Sequence, residues 1–155
     1  MINLGGSKMK IDMKEDSTLE DINIEIRYPQ MNNIVKNLAE RINSFNQFIV
    51  GEDDGRKYKI NVYDIFYIES VDRRTFIYTK GEVYCSKNKL YMFLQELPKN
   101  DFVQISKSCI LNINVLKCVK ALINSKMEAT LINDEKIIIS RNYISNIKKI
   151  LDGEV

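Results

Sequence analysis

Apolar residues recur along this chain with two different periods. From residue 48 onward they alternate with polar ones in short runs rich in β-branched and aromatic side chains, which is the pattern of half-buried strands. The runs fall at 48–50, 57–61, 65–71, 75–79, 82–86, 102–105, 110–113, 115–123, 127–132 and 136–140. Turn chemistry separates several of them: GEDDG after the first, Lys80-Gly81, and Asn133-Asp134-Glu135. Two stretches of this region follow the helical period. Leu90, Phe93, Leu94 and Leu97 predict a helix over 89–97, stopped by Pro98. Ile144, Ile147 and Leu151 predict a last helix that starts at an N-cap on Ser140 and ends at Asp152-Gly153.

The first 46 residues read differently. Ile22, Ile24 and Ile26 alternate with Asn23, Glu25 and Arg27, predicting a strand closed by Pro29. Met31, Ile34, Val35, Leu38 and Ile42 predict a helix over 30–43. One strand and one helix cannot bury their own apolar faces. The expected organisation is thus a strand–helix extension over 1–46 and a β-rich domain over 47–155. Gly5-Gly6 stands just ahead of Met9, as in a translated ribosome-binding site, so residues 1–8 read as non-native or mis-started and Met9 as the expected start.

Composition narrows the chemistry. The 155 residues are 45% hydrophobic and 28% charged, enough for a packed core and unlike a disordered chain. No apolar run reaches the ~20 residues of a membrane span, and the N-terminus lacks a signal-peptide core. A cytoplasmic location is expected. Cys85, Cys109 and Cys118 are odd in number and form no Cys-x-x-Cys, which suggests reduced thiols. The chain contains no histidine, which removes Ser-His-Asp and Cys-His catalysis and most zinc sites. Glycines fall into no phosphate-binding loop. Neither a cofactor nor a small-molecule substrate is expected. Net charge is +2, unevenly placed: residues 1–55 hold 6 Lys/Arg and 10 Asp/Glu, residues 56–155 hold 17 and 11. A basic segment suits a polyanion, and equally a solvated surface.

The segment FVQISKSCILN, residues 102–112, carries Ser106, Lys107 and Ser108 where a tight turn would carry Gly, Asn or Asp. Two hydroxyls and an ammonium can donate to phosphate or a base edge; a solvated turn with hydroxyl-to-backbone bonds fits the same residues. Arg141, at the end of the last strand, can take guanine O6 and N7 together, or pair with a neighbouring carboxylate. Arg73 and Arg74 sit between two strands, either as phosphate or base contacts or as an exposed hairpin tip. Lys87 and Lys89 stand at a helix start, where a cation gains nothing from the helix dipole. Tyr67, Phe76, Tyr78 and Tyr84 fit sheet packing better than base stacking. Glu69 is a carboxylate in an apolar strand; an internal ion pair or hydrogen bond is expected of it, with acceptance from cytosine N4 as the alternative.

Three segments in order, YIESVDRRTFIYT, FVQISKSCILNIN and MEATLINDEKIIISRNYI, resemble the LytTR DNA-binding domain, the output domain of many bacterial response regulators. The shared elements are Glu69-Ser70, the Ser106–Asn112 segment and Ser140-Arg141-Asn142-Tyr143; no single one is specific, and their joint occurrence carries the resemblance. The strand–helix start resembles stand-alone members that lack a receiver domain. The resemblance implies an elongated, mainly β fold of three small antiparallel sheets with flanking helices. It implies DNA binding by strand-end loops in successive major grooves, with a phosphate track between. Carried over by matching, the contacts are Arg73, Arg74 or Thr75 in the first loop, Lys107 between Ser106 and Ser108 in the second, and Arg141 with Asn142 in the third. Lys87 and Lys89 join as phosphate contacts. Some relatives carry histidine at the position of Thr75, and the resemblance implies that the arginines beside it stand in. The expected partner is duplex DNA with a direct repeat, bound by a homodimer or two protomers, and a membrane-protein regulator is a further candidate. The alternative is a non-catalytic interaction module that uses exposed sheet edges. A Ser-Lys dyad enzyme is disfavoured, because neighbouring strand residues point to opposite faces.

Overall fold

The computed structural model of the protein describes residues 9–152; the reading of residues 1–8 lies outside them. Met1–Gln30 and Met31–Val155 form two compact units. In the first, residues 9–30 belong to no helix or strand. Asp16 closes a turn by accepting from the Thr18 amide and hydroxyl, at 3.0 and 2.6 Å. These two bonds hold its carboxyl below the usual carboxylate range. The strand expected at 22–29 does not form. Ile22 is 91% exposed and among the described residues no second strand pairs with the segment, so alternation alone supplies neither ladder bonds nor burial.

The second unit opens with helix α1, Asn33–Ser44, whose Asn32 cap accepts from the Val35 amide at 3.0 Å. That cap explains why the helix begins three residues later than its apolar period suggests. Its polar side meets the rest of the unit. Asn100 donates to Asn37 and Glu40, Arg41 lies 3.5 Å from buried Asp101, and the Ser44 and Tyr63 hydroxyls are 2.7 Å apart. No residue of α1 is buried, and Ile34 and the capping Phe45 are exposed. This helix therefore belongs to the unit that holds the strands, through polar contacts.

Ten strands follow: β1 Phe48–Asp53, β2 Arg56–Asn61, β3 Ile65–Val71, β4 Arg74–Thr79, β5 Val83–Ser86, β6 Phe102–Ser106, β7 Cys109–Asn112, β8 Leu116–Ala121, β9 Met127–Leu131 and β10 Lys136–Ile139. Helix α2, Leu90–Glu96, separates β5 from β6, and α3, Ile144–Leu151, ends the described chain. The mainly β fold with flanking helices is as expected, but hydrogen bonding makes two sheets, not three. One has the order β2-β1-β5-β4-β3-β7-β6, the other β10-β9-β8, both antiparallel. The β1–β2 hairpin joins the large sheet through one registered pair, Glu52 with Cys85. A sequence cannot show so slender a junction. β1 also runs through the GEDDG segment to Asp53, because its ladder with β2 continues until Asp54-Gly55 turns the chain, both at positive φ.

Each face of the large sheet has its own core. On one face, Leu90, Phe93 and Leu97 around α2 cover Ile68, Ile77 and Ile110. On the other, Ala129, Leu131 and Ile139 of the small sheet and Ile147 of α3 cover Tyr67, Leu111 and Ile105. Because both faces are covered, β3 is buried continuously from Ile65 to Ile68 instead of alternating. Gly51 is required by close approach: a Cβ there would lie 2.6 Å from both Ile60 Cδ1 and Tyr84 Cβ.

Candidate nucleic-acid interface

Strand register decides which turns become neighbours. The β3–β4 hairpin pairs Val71 with Arg74, leaving Asp72 and Arg73 as its two turn residues. Both have positive φ, 48° and 66°, as a type I′ turn demands. A non-glycine residue pays steric strain there, so the turn spends stability to present an arginine. Thr75 continues the register opposite Ser70 on one side and Ser86 on the other, and β5 ends at Ser86. The loop bearing Lys87 and Lys89 therefore starts beside the hairpin tip, and Lys89 Nζ donates to the Arg73 carbonyl at 3.2 Å.

On the other side of β3, Glu69 pairs with Cys109, and the Ser70 amide donates to the Ser108 carbonyl at 2.8 Å. This fixes the β6–β7 turn, with Lys107 at its exposed tip, beside the end of β3. Ser106 accepts from the Ser108 amide at 3.1 Å, and the two hydroxyls are 3.4 Å apart. The hydroxyl-to-backbone turn is thus real, and it holds Lys107 outward. The third segment arrives through Ser140, whose amide donates to the Ile105 carbonyl at 2.9 Å. Ser140 does not cap α3 with its side chain. A 3-10 turn, Arg141–Tyr143, intervenes, and α3 begins at Ile144, because Ser140 is tied to β6. Arg141 and Asn142 are exposed in that turn.

Four chain segments remote in sequence therefore meet at one end of the large sheet. Arg73, Arg74, Lys87, Lys89, Lys107 and Arg141 are all exposed there. Among the described residues, Arg73, Arg74, Lys107 and Arg141 have no carboxylate within ion-pair distance. The salt bridge considered for Arg141 does not form. Lys87 lies 3.8 Å from Glu52, a pair exposed on the lysine side. Arg74 sits 5.9 Å from the Phe76 ring centroid, at the outer limit of a cation–π contact. Arg73, Arg74, Lys107 and Arg141 lack ion-pair partners although Asp72 and Glu69 stand at the same sheet end, so the cluster keeps a positive excess that a polyanion can neutralise.

Two expectations need correction. Thr75 is 2% exposed, locked between Ser70 and Ser86, and offers nothing to a partner in this arrangement. Glu69 makes no ion pair or side-chain hydrogen bond among the described residues, since its strand neighbours are Phe76 and Cys109. Tyr67, on the same strand face, donates instead to Glu135 at 2.6 Å and stacks on Tyr78 at 4.2 Å. Burial, then Glu135, push the Tyr67 phenol well above its ordinary range. Burial does the same to the Cys109 thiol, which keeps it protonated and inert. Sequence reading missed two buried polar residues that fix the β7 end. Asn112 Nδ2 donates to the Ile65 carbonyl at 2.8 Å, and Asp101 accepts from Asn114 Nδ2 at 2.9 Å. A polar residue at the end of a wholly apolar run, as in ILN, was the signal available for Asn112.

Among the described residues no group of His, Cys, Asp or Glu is placed to hold a metal, and no helix is long and apolar enough to cross a membrane. Comparison with known proteins matches residues 55–152 to the LytTr DNA-binding domain model. The chain is 29% identical over 92 residues to the sensory transduction protein LytT of Bacillus cereus, covering 59% of this chain and 37% of that protein. It is 26% identical over 143 residues to a Staphylococcus aureus protein described as an HTH-type transcriptional regulator, covering 91% of this chain and 97% of that one. Strands separate each helix of the described residues from the next, so a helix-turn-helix has no counterpart here. In fold, the chain is similar to a LytTr DNA-binding domain of a Bacillus cereus response regulator, with a TM-score of 0.65, 23% identity, and coverage of 68% of this chain and 97% of that one. The matched model spans more than half of the chain and all four converging segments, so the protein belongs to the LytTR DNA-binding domain family.

Proposed function

We propose that this protein is a bacterial transcriptional regulator that works in the cytoplasm and binds duplex DNA sequence-specifically through the strand-end loops. The convergence of exposed cations from four separate segments on one sheet end, all but Lys87 without an ion-pair partner among the described residues, carries this reading. Membership in the LytTR family and likeness to a protein described as a transcriptional regulator support it. In the proposed assignment Arg73 or Arg74, Lys107 and Arg141 reach base edges in successive major grooves. Lys87 and Lys89 hold the phosphates between, with Ser106, Ser108 and Asn142 as further donors. Arginine suits the base-reading positions because its planar fork takes guanine O6 and N7 together.

Two protomers on a direct repeat are the proposed assembly. Helix α1, with Ile34 and the capping Phe45 exposed, is the proposed contact with a second protomer or a membrane-protein regulator. The interaction-module alternative is supported less well. The outer strand β2 carries exposed Arg56, Lys57 and Lys59, charges that discourage edge pairing.

Selection from a random duplex library with the purified full chain tests the function. Enrichment of one motif is expected, with binding that weakens steeply in salt. Six phosphate contacts would give a log–log slope of about −5. Absence of any enriched sequence, with no salt dependence, would overturn the proposal.

A further inference from the structure

We propose that Glu69 is a specificity-determining residue: its carboxylate accepts a hydrogen bond from the exocyclic amino group of one cytosine or adenine in the major groove. The inference rests on the DNA-binding reading above and deepens it.

Glu69 lies two residues from the end of β3, where the hairpin tip and the β6–β7 turn meet. Strand alternation puts it on the same face as Tyr67, and the register sets it opposite Phe76 on one side and Cys109 on the other. It is half-buried and has no hydrogen-bond or ion-pair partner among the described residues, although three cationic turns surround its end of the sheet. Of the two phenols near it, the Tyr67 hydroxyl is committed to Glu135, and the Tyr78 hydroxyl makes no hydrogen bond to it. Its charge is nevertheless felt locally. The Tyr67, Tyr78 and Cys109 acids are pushed up first by burial and further by Glu69.

In the free protein the Glu69 carboxylate oxygens keep access to water, which supplies their donors. Closing DNA over this end of the sheet strips that water, and a carboxylate left there without a donor would then carry a desolvation cost. On a surface that binds a polyanion it also repels phosphate, so it weakens indiscriminate binding. A donor on the DNA offsets both penalties. In the major groove the bases present just two amino donors, cytosine N4 and adenine N6. Guanine O6 and thymine O4 occupy the corresponding places as acceptors and would confront the carboxylate with like charge. Glu69 therefore selects by attraction to one pair of bases and by repulsion from the other. A rival role is positioning: Arg74 lies diagonally across the β3–β4 ladder, and Glu69 could act by orienting its guanidinium.

The test uses the full chain and one random duplex library, read in parallel for wild type, Glu69→Gln, Arg74→Ala and the double variant, with thermal melts to establish folding. Wild type is expected to fix one base pair whose preference, and no other, is relaxed in Glu69→Gln; the cytosine or adenine of that pair is the base that meets the carboxylate. Glu69→Gln, which can donate as well as accept, should lose about ten- to hundredfold of the discrimination against guanine or thymine there. Its binding to unrelated DNA should be equal or stronger. If the variant fails to fold, the DNA side still decides. Replacing that base by its analogue without the amino group (pyrimidin-2-one or purine) should weaken wild-type binding about tenfold or more. An unchanged motif in Glu69→Gln, or undiminished binding to the analogue, overturns the inference. Loss of the same base preference in Arg74→Ala, with no further loss in the double variant, overturns it in favour of the positioning role. A wild type that enriches nothing rejects the DNA-binding reading itself, a distinguishable result.

Discussion

Arg73 offers a way to separate what the fold needs from what a DNA partner needs. It occupies the second turn position of the β3–β4 hairpin at a φ of 66°. A side chain in that region costs roughly 1–2 kcal/mol relative to the right-handed alternative. Glycine removes this strain but loses more backbone entropy on folding, roughly 0.5–1 kcal/mol. The side chain of Arg73 makes no ion pair among the described residues, and the bond from Lys89 uses its carbonyl, which any residue supplies. The balance for Arg73→Gly is therefore neutral to stabilising, by up to about 1.5 kcal/mol, or a rise of up to roughly 5 °C in Tm. The same change deletes one cation from the proposed interface. If Arg73 meets phosphate, the salt slope should shrink by about 0.9; if it reads a base, affinity for the selected site should fall by about 1–3 kcal/mol. Thermal melts and fluorescence anisotropy across a salt series measure both. A variant that melts well below wild type while binding DNA unchanged would refute the reasoning, because the arginine would then serve the fold and not the partner.

Arg141→Ala should relax base preference at one position by about 1–3 kcal/mol, whereas Lys87→Ala should weaken binding to all sequences alike, as duplex competition assays will show. Gly51→Ala places a Cβ 2.6 Å from Tyr84 Cβ and Ile60 Cδ1, and denaturant unfolding should report a loss of about 1–3 kcal/mol. Phe93→Ala empties a fully buried site under α2 and should cost about 3–5 kcal/mol in the same assay. Burial, and then the hydrogen bond to Glu135, raise the Tyr67 phenol above its ordinary range near 10.0 in the fold. The raised value means that folding favours the neutral phenol, so its contribution is complete below about pH 10 and fades as pH climbs through the raised value. Tyr67→Phe should flatten the alkaline limb of a stability–pH curve, and an unchanged limb would show that another group governs it.

Period and turn chemistry were enough to read nearly every element of the β-rich region, and for a local reason. That IFYIESV is rich in β-branched and aromatic residues, that Pro98 stops a helix, and that a polar Gly-rich segment separates two strands are settled within a few residues. The segment at 22–29 shows the limit. Its alternation is as clear as any, yet a strand exists only where another chain segment accepts its ladder, and among the described residues none does. The same limit governed the candidate site. Each of Arg73, Lys107 and Arg141 was visible as a cation at a chain reversal. Their meeting depends on β7 lying beside β3 and on Ser140 bonding to Ile105, pairings between residues dozens of positions apart. Thr75 and Glu69 were misjudged for a related reason: whether a side chain is sealed in or left without a partner is decided by neighbours across the sheet. Sequence determined the elements and the charges because those are set by local backbone and side-chain chemistry. Tertiary structure decided which of them share a surface, because register and burial are properties of contacts that no local stretch contains.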